Sequence, residues 1–118
     1  VPTTLLTLPE IPPPLSACFN NNRKRGRVKS KRYTAWINNV LYSRRGVGFE
    51  PLEGDVQAVY LYRRPDRRRR DLGNLEKATS DILMTLNVIK DDSQIIDLRL
   101  AWSESITDPV HIIITGEK

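Results

Sequence analysis

"RRPDRRRRDLGNLEKATSD", Arg63–Asp81, joins a strand to a helix and carries a dense run of positive charge. Arg67–Arg70 run without a break into Asp71, Gly73 and Asn74. A basic run beside a carboxylate suits the handling of phosphate. On the N-terminal side, "VQAVYLYRR" alternates, with Val56, Ala58, Tyr60 and Tyr62 on one face and Val59 and Leu61 on the other. Both faces are apolar, which predicts a central strand. On the C-terminal side, Leu75, Ala78, Ile82, Leu86 and Ile89 recur at helical spacing. They predict an amphipathic helix from Leu75 to Ile89, with Asn74 as N-cap and Lys77 in the first turn. "KDDSQ", Lys90–Gln94, reads as a polar turn. "IIDLRLAWSE" then predicts a strand with Ile96, Leu98, Leu100 and Trp102 on one face.

Further out, "TTLLTLPEIPPP" predicts a strand over Thr3–Leu8, stopped by prolines that cannot continue a central strand. The segment 19–31 is rich in Asn, Arg and Lys and has no apolar period, so it reads as a mobile basic loop. Tyr33, Trp36, Ile37, Val40 and Leu41 define one apolar face of a helix that Ser30 caps. "VHIIIT" is a final strand. The pattern predicts one α/β domain over 1–118: a small mixed sheet with two main helices. Such a thin core favours dimerisation.

The 118 residues suit a single modest core, and the formal net charge is +5. Thirteen of the nineteen Lys and Arg fall in two blocks, Arg23–Arg32 and Arg63–Arg70. Concentrated like charge repels itself unless it meets a polyanion, and nucleic acid is the natural candidate. A solvated basic surface is the plainer alternative. No apolar run is long enough to span a membrane, and the N-terminus lacks the pattern of a signal peptide. Cys18 is the sole cysteine, which excludes an intrachain disulfide and fits a reducing, cytoplasmic location.

Phosphodiester hydrolysis generally uses a divalent metal, and Mg²⁺ prefers carboxylate and water oxygens. Asp66, Asp71, Glu76, Asp91 and Asp92 are the carboxylates near the basic run. Asp71 stands in a cationic field that keeps it ionised. It either binds metal or pairs with an arginine; Asp91 and Asp92 either face a metal or are ordinary turn residues. Spacing alone leaves these open. A helix over Leu75–Ile89 is roughly 22 Å long, with Asp71 before it and Asp92 after it. Unless a loop folds back, the two could meet only across a twofold axis, in composite sites of a dimer. His111 reads as structural, Trp36 and Trp102 as core, and no Walker-type phosphate loop is present.

"PDRRRRDLGNLEKATSDIL" followed by "VIKDDSQIIDLRL", with "LPEIPPP" near the start, resembles the RusA family of Holliday junction resolvases. The family pattern is a basic run, D-x-D-N-x-x-K, a helix, then a D-D pair before a strand. The resemblance spans nearly the whole chain and is strongest over Arg63–Asp97. It implies an intertwined homodimer, of phage or prophage type, that acts on nucleoid DNA. It implies a Mg²⁺-dependent endonuclease that nicks four-way junctions symmetrically, with no small-molecule cofactor. Asp71 and Asp92 match the catalytic metal ligands, with Asp91 beside them, and Lys77 matches the motif lysine. Arg70 and Asn74 match residues that contact DNA or support the site; Arg67, Arg68 and Arg69 complete the run, and Arg23, Lys24, Arg25 and Arg27 lie in the second basic block, all candidate DNA contacts. The departure is Gly73, which stands where the pattern has a catalytic aspartate. The expectation is a site that holds a junction better than it cuts one. A branched-DNA-binding protein without cleavage is the alternative; an RNA-binding domain is disfavoured because no RNP-like or GXXG element is present.

Overall fold

The computed structural model describes residues 1–116. Alternating Thr and Leu make β1 (Thr3–Leu8), which Pro9 ends. The prolines that follow lead through a 3-10 turn, Leu15–Ala17, to an antiparallel hairpin of β2 (Phe19–Asn22) and β3 (Gly26–Lys29). This hairpin stands where the sequence predicts a mobile loop over 19–31. Local bonding explains the difference. The Asn22 side chain accepts from the backbone N–H groups of Lys24 (2.9 Å) and Arg25 (3.1 Å). Gly26 then takes φ +73°, closing a three-residue turn that matches the strand twist. At the base, Ser30 N–H donates to the Cys18 carbonyl at 2.8 Å, and the Arg27 guanidinium lies 4.1 Å from the Phe19 ring centroid. None of these contacts needs an apolar period.

Helix α1 (Lys31–Ser43) starts as expected, with Ser30 accepting from Tyr33 N–H at 3.1 Å. Next come β4 (Val56–Tyr62), α2 (Glu76–Thr85), β5 (Ile95–Trp102) and β6 (Val110–Gly116). The four-stranded sheet has the order β1-β6-β4-β5, with β4 central. β4 and β5 are parallel and the other pairs antiparallel, so the sheet is mixed. Leu6, Leu8, Ala58, Tyr60, Ile112 and Ile114 bury one sheet face. They share a core with Tyr33, Trp36 and Val40 of α1 and Ala78, Ile82 and Leu83 of α2. The domain is two layers, helices over one sheet face.

Two boundaries differ from expectation. α2 spans ten residues, about 15 Å, rather than running to Ile89. Asn87 adopts φ 66°, and Val88 N–H donates to the Leu83 carbonyl (2.9 Å) while Asn87 N–H donates to Met84 (3.0 Å). That pair of bonds is a Schellman stop. Val88 and Ile89 remain in the core beyond the helix, and Ile89 bridges Leu52. In the β4–β5 pairing, Val56 faces Ile95 and Gln57 faces Asp97, so β5 bulges at Ile96, which is 54% exposed rather than on the apolar face.

Candidate functional site

The β4-α2-β5 unit is a parallel crossover, and its first connection carries the arginine run. Asp66 organises that run. Its carboxylate accepts from Arg68 N–H (2.9 Å), Arg68 Nε (3.3 Å) and Arg70 Nη2 (2.8 Å). The Arg70 hydrogen bond, then the Arg68 backbone bond, hold Asp66 below the usual carboxylate range. Arg67, Arg68 and Arg69 are exposed, while Arg70 is half-buried and its Nε has no acceptor.

Asp71 opens a 3-10 turn, Leu72–Leu75, that precedes α2. Its Oδ1 accepts from Gly73 N–H at 3.0 Å. The cap is therefore Asp71 rather than Asn74, because the turn begins three residues earlier than the helical period suggests. Gly73 does not need glycine's freedom, since its φ lies outside the positive range. A Cβ built there would touch only Asp71 Oδ1, at 3.5 Å. Position 73 thus has room for a side chain, which would stand beside the Asp71 carboxylate.

The turn and α2 are pinned to β4 by two buried hydroxyl pairs. Thr79 Oγ1 donates to the Leu75 carbonyl (2.8 Å), so it must accept from Tyr62 OH (2.7 Å). Ser80 Oγ donates to Glu76 Oε2 (2.5 Å) and accepts from Tyr60 OH (2.9 Å). Burial pushes both phenols well above their ordinary range.

Lys77 lies on the exposed side of α2. Its Nζ is 3.1 Å from Asp81 Oδ1 and 4.0 Å from Asp92 Oδ2. The Asp81 hydrogen bond and charge raise its pKa, so it stays an ammonium at neutral pH. Asp92 therefore reaches the same helix within one chain. The expectation that it lies a helix length away rested on an α2 too long by a turn and more, and the chain folds back after Asn87 instead. Asp91 and Asp92 diverge. Asp91 caps a 3-10 turn, Asp92–Gln94, accepting from Ser93 N–H at 2.9 Å in a capping box with Gln94. Asp92 faces Lys77.

Among the described residues, no three His, Cys, Asp or Glu side chains are grouped to hold a metal ion. Asp71 and Asp91 each spend one oxygen on a turn cap, Asp92 lies opposite Lys77, and position 73 offers no oxygen. The residues present do not make the full Mg²⁺ ligand set that the resemblance implies. No helix among the described residues is long and apolar enough to cross a membrane.

Periodicity did not single out three further features. Asp81 pairs with Lys77 at the i,i+4 spacing that helices favour, a signal that was legible. The Glu76–Ser80 bond has the same spacing. An open cleft of about 870 Å³ has Asp71 and Asn74 in its lining together with Arg32, Arg63 and Arg64. The other basic block is exposed on the hairpin, with Arg23, Lys24 and Arg25 in its turn and Arg27 on β3.

Residues 16–115 match the family model described as Endodeoxyribonuclease RusA. The crossover junction endodeoxyribonuclease of Enterobacteria phage 82 is 34% identical over 96 residues, covering 80% of this chain and 78% of that protein. The RusA protein of Escherichia coli K12 is 34% identical over 99 residues, covering 83% and 81%. That of Shigella sonnei is 33% identical over 99 residues, with the same coverage. With its family match spanning most of the sequence and its relatives aligned over four-fifths of it, the chain belongs to the RusA family of endodeoxyribonucleases.

Proposed function

We propose that this chain is a Holliday junction resolvase of the RusA type whose cleavage is impaired by Gly73. Asp71 and Asp92 are the retained metal-ligating carboxylates, and Asp91 supports Asp92 by fixing its turn. Lys77 supplies positive charge where it develops on the phosphate. Arg67, Arg68, Arg69, Arg70 and Asn74 hold the DNA beside the site. Arg23, Lys24, Arg25 and Arg27 contact phosphates from the hairpin. Two copies act together, since paired symmetric nicks need two equivalent sites. The phage relative supports a phage or prophage origin, with action on DNA in the cytoplasm.

One observation carries the impairment. Position 73 adjoins the Asp71 carboxylate, is open to a side chain, and has none. Junction binding rests on the arginines, which the glycine leaves intact. The absence of any three-ligand group among the described residues also favours a second reading, a branched-DNA-binding protein that does not cut. Both are tested by titrating a synthetic four-way junction and a duplex of the same sequence at one salt concentration. The junction is expected to bind at least about tenfold more tightly, a difference of about 1.4 kcal/mol. Equal affinity for the two would sink both readings.

A further inference from the structure

The cleft beside Asp71 is not explained by the residues that the family pattern singles out. Its lining holds five arginines: Arg32 from the first turn of α1, Arg63 and Arg64 just after β4, and Arg69 and Arg70 from the run. Pro9, Pro12 and Pro109 belong to the same lining. Hydrogen bonds tie the segments of this lining to the rest of the fold. Trp36 Nε1 donates to the Glu10 carbonyl at 3.0 Å, and Arg63 N–H donates to the Pro109 carbonyl at 2.9 Å. The Arg64 guanidinium lies 4.7 Å from the Trp102 ring centroid, stacked rather than paired.

Five arginines face two carboxylates in this lining, Glu10 and Asp71. Glu10 is already bonded to the Asn39 amide. Arg32, Arg63, Arg64 and Arg69 make no ion pair among the described residues, and Arg70 Nε is buried without an acceptor. Unpaired guanidinium groups and an orphaned buried donor fit an anion with several oxygens. The apolar proline rings in the same lining fit the flat face of a base or sugar. A cavity of about 870 Å³ lies within the range of small-ligand sites, roughly 300–1,000 Å³, and is too small for a duplex. A single strand meets all three constraints, with phosphates on the arginines and bases against the prolines.

We propose that this cleft holds a short unpaired stretch of DNA next to Asp71, with Arg32 and Arg63 as phosphate contacts. This rests on the junction reading and deepens it: the strand at the branch point enters the cleft unpaired. The consequence is affinity for single-stranded DNA that a closed duplex does not share.

The test uses fluorescence anisotropy of a short labelled oligothymidylate with the full chain, across a salt series. The parent chain, Arg32→Gln and Arg63→Gln are compared, each also titrated with a four-way junction. Both arginines are exposed, and unchanged thermal midpoints will show that the variants fold. The oligothymidylate is expected to bind the parent chain, and each variant to lower its salt slope by about 0.7, one phosphate contact on a single strand. Junction binding without oligothymidylate binding would overturn the cleft assignment. So would identical salt slopes in all three proteins. Oligothymidylate binding that both variants weaken, with no preference for the junction, would uphold the cleft and sink the junction reading instead.

Discussion

Asp71, Gly73 and Lys77 fall within seven consecutive positions, yet each meets a different constraint. Asp71 caps its own turn with one oxygen, which fixes the carboxylate while leaving the other oxygen available. Lys77 is held by Asp81 and reaches toward Asp92. An ammonium fixed beside the reacting phosphate stabilises charge only as it develops. In a Gly73→Asp background, Lys77→Met is therefore expected to slow junction cleavage by about 10²–10³-fold, with junction affinity changed far less. Single-turnover cleavage and equilibrium titration separate the two effects. Asp91 offers a pH prediction. Its bond from Ser93 N–H holds its pKa below the ordinary carboxylate value. A depressed folded pKa gives stability that is present above the unfolded pKa and lost as pH falls through the folded one. Asp91→Asn is expected to lower the thermal midpoint at neutral pH and to flatten its fall in acid. A midpoint–pH curve parallel to that of the parent chain would show that the cap contributes nothing. Asp71 was legible because a carboxylate beside four arginines is conspicuous. The separate roles of Asp91 and Asp92 were not, because adjacent carboxylates diverge only once the turn is built.

The elements hold the site through a few buried polar contacts on an apolar frame. Ser30 both caps α1 and donates to the Ala17 carbonyl at 2.7 Å, tying the helix to the base of the hairpin. Ser30→Ala removes both bonds and is expected to cost about 1–2 kcal/mol in urea unfolding. Thr79→Val keeps the shape but leaves the buried Tyr62 hydroxyl without an acceptor, costing about 1–3 kcal/mol. Tyr62→Phe removes the donor instead, leaves Thr79 bonded to Leu75, and is expected to cost less. The reverse order would contradict the donor assignment. The strands were readable because β1 and β4 alternate, and α1 because Ser30 precedes a clean apolar stripe. The end of α2 was not. Val88 and Ile89 are core residues that happen to continue the helical period, while Asn87 stops the helix through its backbone conformation. The hairpin left no periodic trace, since backbone pairing and one Asn side chain shape it.

For the molecule as a whole, charge and copy number matter most. Arg68 and Arg70 share Asp66, whereas Arg67 and Arg69 have no ion-pair partner among the described residues. Arg67→Gln and Arg69→Gln are each expected to lower the salt slope of junction affinity by about 0.9. Arg68→Gln is expected to lower it less, because its charge is already partly answered. The sheet face opposite the helices is open, with Leu5 70% exposed and Val59, Leu61 and Ile113 half-buried. Together with the need for two sites on a fourfold junction, this predicts a homodimer, to be checked by sedimentation at twice the chain mass. Composition and the two basic blocks made a nucleic-acid partner legible from sequence. The cleft was not, because its walls come from four separate segments. The impairment proposed for position 73 can be measured directly. Cleavage of a synthetic four-way junction in Mg²⁺ should be compared between this chain and Gly73→Asp. A carboxylate ligand contributing a few kcal/mol to the transition state predicts that Gly73→Asp cuts at least about 10²-fold faster. Equal rates for the two proteins, at equal junction affinity, would contradict the assignment of Gly73 as the missing carboxylate.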